Sequence, residues 1–151
     1  MTGFFASPQA FSSLDDTWTT PPDFFAELNA EFDFGLDAAA LAKSALCSNW
    51  YGPDNPDPQR RDCLTIEWDK SKAVFFNPPY GRAISKFMAK AFEQNRGGAT
   101  VVCLVPARTD TAWFQDYCLP HEVRFVRGRL KFGGANPAPF PSAVVVMRGN
   151  S

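Results

Sequence analysis

Ala73-Val74-Phe75-Phe76-Asn77-Pro78-Pro79-Tyr80-Gly81 joins a short apolar run to a pair of prolines. Four apolar residues, two of them aromatic, predict a buried strand. Pro78 and Pro79 end it, because neither can donate to a sheet ladder. Asn77 and Tyr80 are thereby left at the carboxyl end of a strand, where ligands bind in open α/β sheets. The chemistry on offer there is specific. The Asn77 side-chain oxygen and a proline carbonyl, with no N–H beside it to compete, present two acceptors to an exocyclic amino group. Tyr80 presents a flat face to a heteroaromatic ring.

Downstream, Ala83 to Asn95 is amphipathic, with Ile84, Phe87, Met88, Ala91 and Phe92 on one face, and Gly97-Gly98 closes it. Thr100 to Val105 reads as a fully apolar strand stopped by Pro106. Thr109-Asp110 reads as the cap of a helix carrying Trp113, Phe114 and Tyr117. Val123 to Val126 is a strand, Gly128 to Phe132 a further candidate, and Ala143 to Met147 a last buried strand after a Gly/Pro-rich loop.

Upstream, Thr20 reads as a helix cap, Pro21 and Pro22 suit the first turn, and Asp23 answers its positive end. Phe24, Phe25, Leu28 and Phe32 follow at helical spacing. Phe32 to Asp37 alternates as a strand, and the Ala- and Leu-rich Ala38 to Leu46 reads as a helix. Residues 47–61 form a loop, with a candidate strand at Asn49-Trp50-Tyr51, and residues 1–17 a loose arm. Strands alternating with helices predict an α/β fold, a mainly parallel, doubly wound sheet in one domain from residue 18 to 151.

The totals agree with one core: 151 residues, 45% hydrophobic, with 15 phenylalanines. A net charge of −1 argues against tight nonspecific hold on a polyanion, yet leaves room for a local basic face. Cys47, Cys63, Cys103 and Cys118 show no metal-ligand spacing and read as reduced thiols of a cytoplasmic protein. His121, the one histidine, reads as a solvated loop residue ahead of a lone base. No apolar run approaches a membrane span, and the N-terminus lacks the basic start of a signal peptide.

Taken in order, these pieces resemble the small phage and prophage DNA N-6-adenine methyltransferases, over Trp18 to Met147. The resemblance rests on Trp18, Thr20 and Pro21; on Leu36 to Ala39; on Asp62, Leu64 and Trp68; and on Asn77 to Gly81. It continues through Leu104 to Thr109, Trp113-Phe114, Gly128 to Phe132 and Pro139 to Ser142. Asn-Pro-Pro-Tyr alone is shared with RNA and protein-glutamine methyltransferases; the ordered set is far more specific. What it implies is a Rossmann-like domain that moves a methyl group from S-adenosylmethionine to adenine N6 in DNA, by direct in-line displacement and without a metal. The base would be flipped or already unpaired. The setting implied is the cytoplasm of a bacterial host, with the gene carried by a phage or prophage.

Roles follow residue by residue. Asn77, Pro78, Pro79 and Tyr80 would be the catalytic turn, with Tyr80 stacked on the base. Asp37, with Ala38, is implied for the methionine end of the cofactor, against the plain alternative of a helix-start acid. Asp62 would meet the cofactor adenine, with Cys63 and Leu64 alongside, and Trp18, Thr20 and Pro21 would add contacts. Asp54 and Asp57 both stand where the ribose usually finds an acid. Arg82, Arg108, Arg124, Arg127, Arg129 and Lys131 are the charges open to DNA. If Gly128 to Phe132 is a strand, Arg127, Arg129 and Lys131 share one face as a basic stripe; a solvated strand face is the alternative. Phe140, between two prolines, reads as a wedge or second stacking partner or, more simply, as core.

Two departures from the family pattern stand out. Leu36-Asp37-Ala38-Ala39 replaces the glycine-rich turn after the first strand, and no insertion is long enough for a separate target-recognition domain. Two rival functions keep part of this reading. One moves the same chemistry to RNA or a protein glutamine; the other is a module that binds nucleic acid or a partner without turnover.

Overall fold

A computed structural model describes residues 19–133 and 136–150. The arm at residues 1–17 and Trp18 lie outside the described residues. The order is α1 (Pro22–Phe32), β1 (Phe34–Asp37), β2 (Ala73–Phe76), α2 (Ile84–Arg96), β3 (Val101–Pro106), β4 (Glu122–Phe125) and β5 (Ser142–Met147).

These five strands form one sheet in the order β1-β2-β3-β5-β4. β1, β2 and β3 pair in parallel, while β5 runs antiparallel to both β3 and β4. The expectation of a mainly parallel sheet is thus corrected to a mixed one. The turn from Phe125 to Ser142 returns the chain between β3 and β4, so the last strand enters from the opposite end.

Alternation along the strands sorts the apolar residues onto two faces. Val74, Phe76, Val101, Cys103, Val105, Val145 and Met147 meet Phe87, Met88 and Ala91 of α2. Phe75, Val102, Leu104, Val144 and Val146 meet Phe25 and Leu28 of α1. The ring centroids of Phe25 and Phe75 are 5.1 Å apart, and those of Phe76 and Phe87 6.3 Å. Each such ring, fully buried, contributes about 1.5–3 kcal/mol. Every residue of β3 and β5 is buried, which explains why both read as unbroken apolar runs.

Several expected elements differ. Thr20 does not cap α1; Pro21 occupies the cap position and Pro22 the first turn. Asp33 adopts a left-handed φ of 54° as the helix end, so β1 starts at Phe34 and not at Phe32. Ala38 to Leu46 is no helix. The N–H groups of Ala38 and Ala40 are committed to Phe75 O and Tyr51 O at 3.0 and 2.9 Å, which keeps the chain extended where a helix would begin. Asn49 to Tyr51 does run beside β1, through a single parallel bridge between Trp50 and Asp37. Gly52 seals this layer: a β-carbon there would lie 1.7 Å from the Ala40 carbonyl oxygen.

After β3 the helical segment is a wide turn at Phe114–Cys118, where Leu119 N–H reaches Phe114 O at 3.1 Å. Its cap is Thr111, whose Oγ1 accepts from Phe114 N–H at 3.3 Å, in place of Thr109-Asp110. Gly128 to Phe132 is not a strand: Gly128 has a φ of +74°, and Phe132 turns inward to be buried.

Candidate active site

Parallel pairing brings the carboxyl ends of β1, β2 and β3 to one edge of the sheet. Asp37 ends β1 and Asn77 follows β2, both on the face covered by α1. Gly81, with a φ of +101°, lets the chain turn from Tyr80 into α2, where Ile84 N–H bonds Gly81 O at 3.2 Å.

Asn77 is buried and held at both ends of its amide. Its Nδ2 donates to Thr20 Oγ1 at 2.9 Å, and Tyr80 OH donates to its Oδ1 at 2.7 Å. Tyr80 OH also lies 3.2 Å from Leu104 O. Burial pushes the Tyr80 phenol well above its ordinary range, so the hydroxyl stays protonated and remains a donor. Pro78 and Pro79 are buried beside it.

The Tyr80 ring forms a wall with two phenylalanines. Phe140 meets it edge-on at 5.6 Å, and Phe132 at 6.2 Å. Phe140 is therefore packed inside, as the simpler reading had it, and the Arg108 guanidinium sits 5.6 Å from its ring centroid. Phe132 was given no role from the sequence; only its place after Gly-Arg-Leu-Lys hinted at one.

Asp37 is fully enclosed. Its Oδ2 accepts from Leu46 N–H at 3.1 Å, while Oδ1 is buried without a hydrogen-bond partner. Burial raises its pKa from 3.8 to about 7, against the opposing pull of the Leu46 and Ala39 amides. Asp37 is thus a seated carboxylate and not a helix-start acid, because no helix begins there. A narrow cleft of about 10 Å³ joins Thr20, Asp37, Leu46 and Asn77. It shares Thr19, Thr20, Ser44 and Leu46 with an outer cavity of about 500 Å³ flanked by Lys43 and Lys131.

Beyond the β1 edge lies a second cavity, of about 580 Å³, lined by Tyr51, Asp57, Arg60, Asp62 and Thr65, among others. Tyr51 links the two sites, since its N–H bonds Asp37 O at 3.0 Å. Asp62 accepts from Leu64 N–H at 3.0 Å, and partial burial raises its pKa. Of the two ribose candidates, Asp57 lines this cavity, whereas Asp54 accepts from Ala42 N–H at 3.0 Å. Cys63 is in the core instead: it is buried, its carbonyl accepts from Trp68 Nε1 at 2.8 Å, and burial pushes its thiol up. The four cysteines are free thiols.

The basic stripe is not formed. Lys131 flanks the outer cavity, Arg129 Nη1 donates to Ala138 O at 3.2 Å, and Arg127 lines a groove between α1 and β4. Arg124 is engaged by Glu31 at 2.7 Å and Glu122 at 2.6 Å. Arg82 and Arg108 are exposed just past β2 and β3. His121 is partly buried against Phe92, 5.6 Å between ring centroids, and its Nε2 has no hydrogen-bond partner, so it is not a solvated loop residue. Among the described residues, no cluster of three His, Cys, Asp or Glu side chains is placed to hold a metal, and no helix is long and apolar enough to cross a membrane.

Comparison with known proteins bears on this edge of the sheet. The sequence model of the family described as DNA N-6-adenine-methyltransferase (Dam) matches residues 8–144. The chain belongs to this family. It is also similar to the DNA N-6-adenine-methyltransferase of Escherichia phage T1, at 36% identity over 105 residues. That match covers 69% of the chain and 41% of the phage T1 relative, so the chain spans well under half of that protein. The family match runs across Thr20, Asp37, Asn77, Tyr80 and Phe140 alike, and S-adenosylmethionine is the methyl donor that the family implies.

Proposed function

We propose that the protein transfers a methyl group from S-adenosylmethionine to N6 of adenine in DNA, by direct in-line displacement on a flipped or unpaired base. The observation that carries this reading is the buried Asn77 amide, fixed between Thr20 and Tyr80 beside the partnerless Asp37 oxygen.

The residues present suit the donor. An enclosed carboxylate with one unsatisfied oxygen fits the ammonium group of a methionyl chain, which would supply the missing partner. The cavity at Asp57 and Asp62 offers acceptors for ribose hydroxyls and an adenine amino group. Once bound, S-adenosylmethionine supplies an electrophilic methyl on a sulfonium.

Everything else falls to the chain. An aromatic amine is a weak nucleophile because its lone pair is delocalised into the ring. Acceptors at Asn77 Oδ1 and the Pro78 carbonyl hold the amino hydrogens and favour a nitrogen whose lone pair points at the methyl. These bonds strengthen as the nitrogen gains positive charge, so they favour the transition state over the ground state. Tyr80, Phe132 and Phe140 give the base an apolar wall, and Arg82 and Arg108 lie where a phosphate backbone would run. Within this chain, the loops at the carboxyl edge of the sheet would make the contacts to neighbouring bases.

Incubation with labelled S-adenosylmethionine and DNA, followed by digestion to nucleosides, tests this directly. N6-methyladenine is the expected product. Label in RNA or protein but not in DNA would move the activity to the alternative substrates, and no label with intact cofactor binding would mark a binding module.

A further inference from the structure

Asn55-Pro56-Asp57-Pro58 lies in the exposed loop beyond the Trp50 bridge, and its first residue is the exception there. Asn55 is 5% exposed, while residues 53–54 and 56–61 all lie on the surface. A buried amide must find partners, and this one finds two on the backbone. Its Nδ2 donates to Trp50 O at 2.8 Å, and its Oδ1 accepts from Asp57 N–H at 2.9 Å. A carbonyl can only accept and an N–H can only donate, so these partners fix which end of the amide faces which. The Asn55 backbone is tied as well, its N–H to Gly52 O at 3.1 Å and its carbonyl to Arg61 Nε at 2.7 Å.

The two ends of this side chain reach two parts of the cofactor region. Trp50 stands between Asn49 and Tyr51, which exchange backbone bonds with Asp37: Asp37 N–H to Asn49 O and Tyr51 N–H to Asp37 O, both at 3.0 Å. Asp57 lines the cavity of about 580 Å³ on the other side of Tyr51. Its own loop is shaped locally. Pro56 and Pro58 hold the residues before them off helical angles, and Asp57 is extended, with φ −87° and ψ 115°. Asp57 Oδ1 accepts from Gln59 N–H at 2.9 Å, and Oδ2 lies 3.4 Å from Arg60 Nε. Such local bonds give the loop its shape but do not set its distance from the sheet. Gly52 N–H, bonded to Arg60 O at 3.0 Å, and Arg60 Nη1, bonded to Asn49 Oδ1, tie down the far end of the turn. At Asp57 itself, the tie to the strand beside Asp37 is the Asn55 side chain.

We infer that Asn55 is a positioning residue of the cofactor site, which holds Asp57 at a set distance from Asp37 by bonding Asp57 N–H to the Trp50 carbonyl. The inference rests on the reading that Asp37 meets the methionyl end of S-adenosylmethionine and Asp57 its ribose. Asn55 acts through Asp57 and touches no reacting atom.

A double-mutant cycle in the full-length protein tests this, with S-adenosylmethionine affinity read by calorimetry. Asn55→Ala raises Kd about three- to tenfold, the scale of one net hydrogen bond. Asp57→Ala raises it at least as much. Adding Asn55→Ala to Asp57→Ala then changes Kd little, because the carboxylate that Asn55 places is already gone; such non-additivity is the mark of coupled residues. Turnover shows the same split: KM for the cofactor rises, while kcat at saturating cofactor and DNA stays within about twofold of the wild type. Asn55→Ser, whose short hydroxyl can still accept from Asp57 N–H but ends far from Trp50 O, carries the same cycle should the Ala variant fail to fold. Unchanged affinity in the single variants, or an equal loss with and without the Asp57 carboxylate, would overturn the assignment. So would a fall in kcat with KM unmoved. These outcomes leave the methyl-transfer reading intact as long as the wild type forms N6-methyladenine. A wild type that binds no S-adenosylmethionine would instead sink that reading and this inference together.

Discussion

Tyr80 OH donates to Asn77 Oδ1 at 2.7 Å, so the ring suited to stack on a base is bonded to the group suited to hold its amine. The carbonyl oxygen of an amide has two lone pairs and can accept more than one hydrogen bond. The phenol therefore polarises the acceptor, in addition to any stacking its ring provides.

Replacing Tyr80 tests these parts separately. Tyr80→Phe keeps the ring and removes the donor; a severalfold loss in kcat is expected, with DNA affinity little changed. Tyr80→Ala also removes a stacking face, which contributes on the order of 1–3 kcal/mol to base binding. If steady-state kinetics show equal losses for Phe and Ala, the ring plays no part in holding the base.

Asp37 makes the protein sensitive to pH in a defined direction. Burial raises its pKa from 3.8 to about 7, so between these values the folded protein holds a proton that the unfolded chain has released. This group's contribution to stability is full below about pH 4, declines as pH rises, and is lost above about pH 7. Thermal unfolding should show Asp37→Asn gaining on wild type from pH 5 to pH 8, by roughly 2–4 kcal/mol at most. Cofactor affinity should run the other way: an ammonium partner favours the carboxylate, so wild-type affinity climbs toward pH 7 and then levels. A flat calorimetric pH profile would remove Asp37 from the cofactor.

Asp57 and Asp54 were indistinguishable as loop acids, and the cavities now separate them. Asp57→Asn keeps the bond that Oδ1 accepts from Gln59 N–H at 2.9 Å, because an amide oxygen can replace it. It should still weaken S-adenosylmethionine binding severalfold in calorimetry. Asp54→Asn should leave binding near wild type. The reverse ranking would relocate the ribose.

Arg108 and Arg124 are a similar pair. Arg124 is held by Glu31 and Glu122, which raise its pKa, whereas Arg108 extends over Phe140 at the carboxyl edge. Arg108→Ala should weaken DNA binding and flatten its salt dependence by about one contact. Arg124→Ala should alter neither. Titrations at several salt concentrations would expose an equal effect of the two, and with it a different DNA path.

What the sequence disclosed and what it hid follow from the range of the interactions. β2, α2, β3 and β5 were legible because each buries a whole face, and burial writes itself as unbroken or periodic apolar runs. The places of Asp37 and Asn77 at strand ends were legible because the apolar pattern stops there, with two prolines after Asn77. Ala38 to Leu46 misled because alanine favours a helix by only tenths of a kcal/mol. Pairing of Ala38 and Ala40 with Phe75 and Tyr51 outweighs that preference, and no local pattern records it. The bond from Asn77 to Thr20 joins residues 57 positions apart and was hidden for the same reason. Lys131 misled because its stripe depended on a strand that a left-handed Gly128 prevents.

The decisive test remains Asn77 itself. If it only ends a strand, Asn77→Asp should be nearly silent, since the side chains share a shape and both suit turns. If its oxygen accepts from the reacting amine, charge decides the outcome. A carboxylate still accepts, and it attracts a nitrogen that is becoming positive; but it cannot donate to Thr20 Oγ1, so Thr20 must turn its own hydrogen inward. It also places a negative charge in a buried site, next to the Tyr80 hydroxyl that donates to Oδ1. Partial activity is therefore expected for Asn77→Asp. Asn77→Ala removes the acceptor and leaves Thr20 Oγ1 and Tyr80 OH facing a gap, and loss of one preorganised contact commonly costs about 10²–10³ in rate. At saturating cofactor and DNA, the rates should fall from wild type to Asp to Ala, with Ala near background. An Ala variant that keeps its circular dichroism spectrum and still methylates adenine at the wild-type rate would move the chemistry away from this turn altogether.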